Sequence, residues 1–468
     1  MRRFVAGLAA AALLSLAAPR AHAQLFHTQS FTLPNGLQVV LVESHRTPAV
    51  SNMVFYKVGA DDEVPGKTGL AHMLEHMMFQ GTKTVAPNQF SAQVSAMGGE
   101  DNAYTTADYT TFFQQIGSSH LELVLKLEAD RMQNLNPQAA QFATEHQAVL
   151  EELRMRVENS PDAELFEQME AALFLNAPYH HPVIGWRSEV EGLTLDDVKG
   201  WYSRWYAPNN AILAVSGDVT LDKLKQLATQ YFGPIPKKVL PPRVNLVEPT
   251  PIAARTVELR DPNVHEPEWS RLYIAPSYSV GDRQSVYALQ LLASIMGGGS
   301  TSRLYRGLVL TGKQAVAASA EYDPEARSLG TFSIGATPAP GTDLTALSAA
   351  IDQQVKNILT NGVTPEEVAR AKQRFATRLA YIQDSYSAGA RVVGTALASG
   401  ETVEDVESWP QRVAAVTADQ VNAAAKQVLR DERSVTGRLL PGTGANATTA
   451  EQPPSGPPPS PDMLRQLR

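Results

Sequence analysis

A chain of 468 residues, 43% of them hydrophobic, is too long for a single core and is sized for two domains or more. A formal net charge of −8 with no basic run argues against nucleic acid or another polyanion as partner. The absence of cysteine excludes disulfides, thiolate metal ligands and a lipoprotein anchor.

Residues 1–23 read as an export signal. Arg2 and Arg3 make a basic start, 4–18 is an apolar run, and Ala21-His22-Ala23 forms a small-residue cleavage site before Gln24. The run is too short for a membrane span and no later stretch is long enough for one. Removing its three arginines takes the net charge to −11. A mature chain in the bacterial periplasm, or secreted, is expected.

Two strands are expected within 31–43, around a Pro34-Asn35-Gly36 turn, and a third over 49–58. Next comes 68–81, the most informative stretch. It reads as a helix of three turns, with Thr68 as cap, Gly81 as stop and no proline between. On such a helix His72 and His76 lie one turn apart on one face, with Glu75 beside them. Two imidazoles and a carboxylate so placed can bind a divalent metal and activate a water. The plain alternative is a core helix with two satisfied histidines, but imidazoles on an apolar face need polar partners.

A helix over 87–97 closes at Gly98-Gly99, and 103–115 is rich in Thr, Tyr and Phe, as strands are. Helices are expected at 119–134 and 138–158. The second carries Glu145 and Glu152 seven residues apart, on one face with Phe142 and Val149. Two carboxylates on an apolar stripe are costly unless paired or metal-bound. Spacing leaves open which of them would bind a metal and which would orient a histidine from behind. Glu151 points further round and reads as a solvated charge. The first half ends with a helix, turn and strand over 202–215 and a helix over 222–231.

Residues 233–252 hold six prolines and read as an extended linker between domains at 24–232 and 253–440. The second domain is expected to have strands at 255–259 and 270–275 and a helix at 283–296. Further helices are expected at 343–360, 364–383, 388–398 and 418–429, with a last strand at 434–440. The stretch 441–468, made largely of Gly, Pro, Ser and Thr, reads as a disordered tail. The helix from Gly69 aligns without gaps on the one from Tyr287, and Gln290, Ala293 and Ser294 stand where His72, Glu75 and His76 do. If the halves are copies, the fold does not need the polar trio of the first.

His72-Met73-Leu74-Glu75-His76 followed by Glu145 and Glu152 resembles the inverted-zincin signature of the pitrilysin-like metallopeptidases. Among these, the chain is most similar to the smaller bacterial and mitochondrial-processing-peptidase-like members. The resemblance extends to the blocks at 98–105, 179–185 and 205–218. It implies an α+β fold of two homologous domains, each a mostly antiparallel sheet covered by helices, together half of a clamshell. It also implies one Zn2+ per chain on His72, His76 and Glu152, with Glu75 as general base and Glu145 orienting a ligand. Asn102 and Ala103 match an edge strand that holds the substrate backbone. The expected activity is that of an exported zinc endopeptidase acting on short or unfolded polypeptides.

One part of the family's pattern is missing. Active relatives supply an Arg and a Tyr, spaced Arg-x6-Tyr, after a Gly-rich block equivalent to 297–306, and here those positions hold Val309 and Val316. The resemblance therefore points to a heterodimer in which a zinc-less paralogue supplies the pair. A homodimer using a substitute such as Arg303 is the second choice. A non-catalytic scaffold that keeps the peptidase fold is the alternative from another class.

Overall fold

The computed structural model describes residues 24–243 and 246–442. The expected export signal and nearly all of the expected tail lie outside them; Pro441, placed in that tail, instead ends the last strand.

The first half builds a six-stranded sheet from β1 (Gln29–Thr32), β2 (Gln38–Glu43), β3 (Ala49–Tyr56), β4 (Glu100–Thr105), β5 (Thr110–Gly117) and β6 (Ala211–Gly217). Their order is β1-β2-β6-β3-β5-β4, and only β2 and β6 run parallel. The sequence Ala-Ile-Leu-Ala-Val-Ser-Gly of β6 is buried throughout, as befits a strand covered on both faces. The second half builds β7 (Arg255–Asp261), β8 (Glu268–Ala275), β9 (Ala315–Asp323), β10 (Gly330–Pro338) and β11 (Ser434–Pro441), ordered β7-β11-β8-β10-β9. Apart from β1, the second sheet repeats the first strand for strand, including its single parallel pair, β7 with β11.

Helices of the first half are α1 (Leu70–Met77), α2 (Gln89–Ala96), α3 (Leu121–Asn134), α4 (Ala139–Leu153), α5 (Pro161–Leu173), α6 (Arg187–Val190), α7 (Leu195–Trp205) and α8 (Leu221–Tyr231). Those of the second are α9 (Arg283–Gly297), α10 (Leu344–Asn361), α11 (Pro365–Asp384), α12 (Ala388–Ala398), α13 (Val403–Ala415) and α14 (Ala418–Val428). Their starts follow capping chemistry. Thr194, Thr364 and Thr417 each accept a backbone N–H from the first turn, and the residue three further on answers with its own side chain. The helix α9 follows β8 as α1 follows β3, so the chain is two homologous α+β domains.

Each sheet has one face on the core of its own half and borrows a helix from the other half for the opposite face. Leu165, Met169 and Leu173 of α5 pack on Leu272, Ile274, Val435 and Leu439 of the second sheet. Reciprocally, Ala390, Val393, Ala396 and Leu397 of α12 pack on Val40, Met53, Phe55, Ile212 and Ala214 of the first. Each large apolar side chain so buried stabilises the exchange by about 1.5–3 kcal/mol. The sequence reading placed no helix at α5 or α13 and no strand at β9 or β10.

The stretch 233–252 has no helix or strand among its described residues, yet it is tied down. Asn209 exchanges two 2.9 Å bonds with the Lys238 backbone, and the Glu248 carboxylate accepts the N–H groups of Leu175, Asn176 and Ala177. Arg327 makes one of the polar links between the halves. Its guanidinium donates to Asp108 and Asp62, each at 2.9 Å, and approaches Asp61 at 3.4 Å.

Candidate metal centre

The α1 helix is shorter than expected and starts differently. It spans two turns, and Gly69 rather than Thr68 holds the capping position, with φ +83°. The Thr68 hydroxyl is occupied elsewhere, accepting the Trp186 N–H at 3.0 Å. Buried Glu63 does the capping, accepting from Gly69 N–H at 2.9 Å and Ala71 N–H at 2.6 Å. Glycine is required at the start because a Cβ on Gly69 would lie 2.5 Å from the Ile184 carbonyl oxygen. Across the contact, Gly185 (φ +88°) would set a Cβ 2.6 Å from the Thr68 carbonyl. The 179–185 block thus has a local job, which is to seat the start of this helix.

Leu70, Ala71, Met73, Leu74 and Met77 point α1 into the core and leave His72, Glu75 and His76 on the face that α4 and β4 cover. The histidine rings meet edge to face at 4.9 Å. From α4, which crosses α1, Glu152 approaches both: its oxygens lie 3.7 Å from His72 Nε2 and 3.2 Å from His76 Nε2. Glu145, two turns earlier on the same face, lies 3.1 Å from His76 Nδ1 and accepts the Gln80 amide at 2.8 Å. Glu151 stands apart, exposed and paired with Arg154.

Each charge has a physical cause. Burial pushes the His72 imidazole down to about 3, so it stays neutral. Burial lifts the Glu75 carboxyl to about 7, against a 2.5 Å hydrogen bond donated by the Thr105 hydroxyl. Burial also opposes charge on His76, but hydrogen bonds to Glu145 and Glu152 outweigh it and raise the ring to about 9. For Glu152 burial is again outweighed, by His76 first and then by His72 and Arg156, and the carboxyl falls to about 2.

The donor set fits a zinc ion. His72, His76 and Glu152 offer three ligand atoms within 4.8 Å of one another, two nitrogens and one oxygen, as catalytic zinc uses. The Glu145 contact assigns the His76 proton to Nδ1 and leaves Nε2 facing Glu152 and His72, the arrangement a metal-binding imidazole needs. The proton that two carboxylates hold on His76 is one a divalent cation would replace.

Asn102 and Ala103 lie on β4, an edge strand of the first sheet and the strand that also carries Thr105 to Glu75. The Ala103 N–H is taken by the Asn102 side chain at 2.8 Å. In the second half Gln290 and Ser294 are engaged with Tyr278 and Arg374. Val309 lies in a π-turn, Tyr305–Thr311, and Val316 lies on β9. Arg303 is bound by Glu367 at 2.6 Å and donates to the Gly362 carbonyl at 2.8 Å. The sequence reading missed Glu63, Thr105 and Arg156, the last of which lies 2.8 Å from Glu152. Only Arg156 had a sequence signal, its i,i+4 spacing from Glu152.

Residues 38–186 match the family described as Insulinase (Peptidase family M16), and 192–375 match the Peptidase M16 inactive domain. The chain is 36% identical over 310 residues to the zinc protease PqqE of Helicobacter pylori, covering 65% of this chain and 68% of that protein. It is 30% identical to an uncharacterized zinc protease of Mycobacterium leprae, over 85% of this chain and 88% of the relative. The crystal structure of a protease from Helicobacter pylori superposes with a TM-score of 0.83 at 29% identity, over 88% of this chain and 99% of that one. The chain belongs to the pitrilysin-like peptidase family M16.

Proposed function

We propose that the chain is an exported zinc metalloendopeptidase that cuts short or unfolded polypeptides. One observation carries this reading: three metal-binding atoms converge within 4.8 Å, with the Glu75 carboxylate on the same helix as two of them. A zinc ion held there would supply Lewis acidity to a peptide carbonyl and a water. Burial gives Glu75 a proton affinity near neutral pH, where a general base both takes and returns a proton readily. Thr105 fixes one oxygen of that carboxylate and leaves the other to work. Along β4, a substrate added as an edge strand would displace the Asn102 side chain from the Ala103 N–H.

The reading includes a partner. Val309 and Val316 cannot hold an oxyanion, and Arg303 is already committed to Glu367 and Gly362. A heterodimer with a zinc-less paralogue carrying the Arg/Tyr pair therefore ranks above a homodimer. Residues 1–23 direct both export and the expected periplasmic or secreted location.

The scaffold reading draws on the match of 192–375 to an inactive domain and on those two valines. The test is to purify the chain alone and with any exported paralogue encoded beside it, then assay a peptide library with and without chelator. Chelator-sensitive cleavage by the pair alone is expected. Full activity of the lone chain contradicts the heterodimer, and no cleavage by the pair leaves the scaffold.

A further inference from the structure

The second half contains a crevice of about 330 Å³ walled by α9, the π-turn Tyr305–Thr311, α10 and α11. It lies beside α9, the counterpart of the helix that carries the two histidines in the first half. Ser294 stands on α9 where His76 stands on α1, and Arg374 of α11 donates to the Ser294 hydroxyl at 2.9 Å. Glu152 of α4 meets His76 in the same way, at 3.2 Å.

The crevice wall carries the guanidiniums of Arg303, Arg306, Arg370 and Arg374 against one carboxylate, Glu367. Glu367 is occupied by two hydrogen bonds from Arg303 and one from the Thr364 N–H. Arg374 spends Nε and one terminal nitrogen on Ser294, and burial together with the neighbouring Arg370 lowers its proton affinity. Arg306 and Arg370 are exposed and donate no side-chain hydrogen bond to any described residue; Glu367 in the wall and Glu366 outside it both attract Arg370. Like charges gathered in one concavity repel and gain from a counter-charge.

We propose that this crevice binds a small polyvalent oxyanion, a di- or triphosphate group or a polycarboxylate. Planar guanidiniums match the paired oxygens of both. The Thr301 and Thr311 hydroxyls and the Gln354 amide in the same wall supply neutral donors. The volume is at the lower end of the ~300–1,000 Å³ of small-molecule sites. The site is independent of the peptidase reading, since none of its residues touches the metal centre.

The experiment is calorimetric titration of the full chain, stripped of metal, with inorganic pyrophosphate and in parallel with citrate. His72→Ala serves as control, because both probes chelate metals. Saturable binding of either probe to wild type and to His72→Ala is expected, and the stronger probe identifies the oxyanion. Arg306→Ala and Arg370→Ala remove exposed side chains and leave the core intact. Each should weaken binding about tenfold or more. No heat of binding at millimolar probe overturns the proposal, as does binding that both alanine variants leave unchanged or that His72→Ala abolishes.

Discussion

The Nδ1 nitrogen of His76 lies 3.1 Å from the Glu145 carboxylate, whose other oxygen is held by Gln80 at 2.8 Å. Glu145 thereby sets the tautomer and angle of a ring whose Nε2 faces Glu152. Replacing Glu145 by alanine should weaken zinc binding by about 10–100-fold while leaving the fold intact. Competition with a calibrated chelator measures this. Unchanged affinity would mean that the ring is held by packing alone.

Glu63 holds the first turn of α1 through the N–H groups of Gly69 and Ala71. Glu63→Ala strands two buried donors at the start of the helix that carries both histidines. A loss of about 2 kcal/mol or more is expected in denaturant unfolding. Zinc affinity should fall with it, because His72 sits one residue beyond Ala71. A variant as stable as wild type would show that Glu63 does not cap the helix.

Asp61 gives a pH dependence whose sign is fixed. Burial raises its carboxyl from 3.8 to about 7, against the pull of Arg327 and with the help of Asp108 and Asp62. Between those values the folded state binds more protons than the unfolded one, so stability falls as pH rises from about 4 to about 7. Asp61→Asn should flatten that slope in a series of thermal melts. An unchanged slope in the variant contradicts the assignment.

What the sequence made legible follows from how local each signal is. His72, His76 and Glu75 are visible because helical spacing puts them together, and the distal glutamates because they interrupt an apolar stripe. The strands β9 and β10 were hidden by composition. Ala-Val-Ala-Ala-Ser-Ala-Glu-Tyr-Asp is poor in branched residues, and β10 has two glycines, so their hairpin depends on neighbouring strands. The helix α13 carries a Thr402/Asp405 capping box, but Pro410 within it reads as a breaker. For α5 the start was readable, since Ser160 precedes Pro161 and accepts the Ala163 N–H. Its destination was not, because packing on the other half's sheet leaves no local pattern. Glu63 caps a helix from six residues upstream, a distance at which no capping motif operates.

On the proposed reading, His72, His76 and Glu152 hold one zinc ion and Glu75 moves the proton. The direct test is to measure zinc content and peptide hydrolysis on the same preparations of wild type and Glu75→Gln, each assembled with its partner. One zinc per chain is expected in both, with hydrolysis lowered in the variant by about 10²–10⁴-fold or more. Wild type without bound zinc, or Glu75→Gln cleaving at the wild-type rate, would rule out those roles.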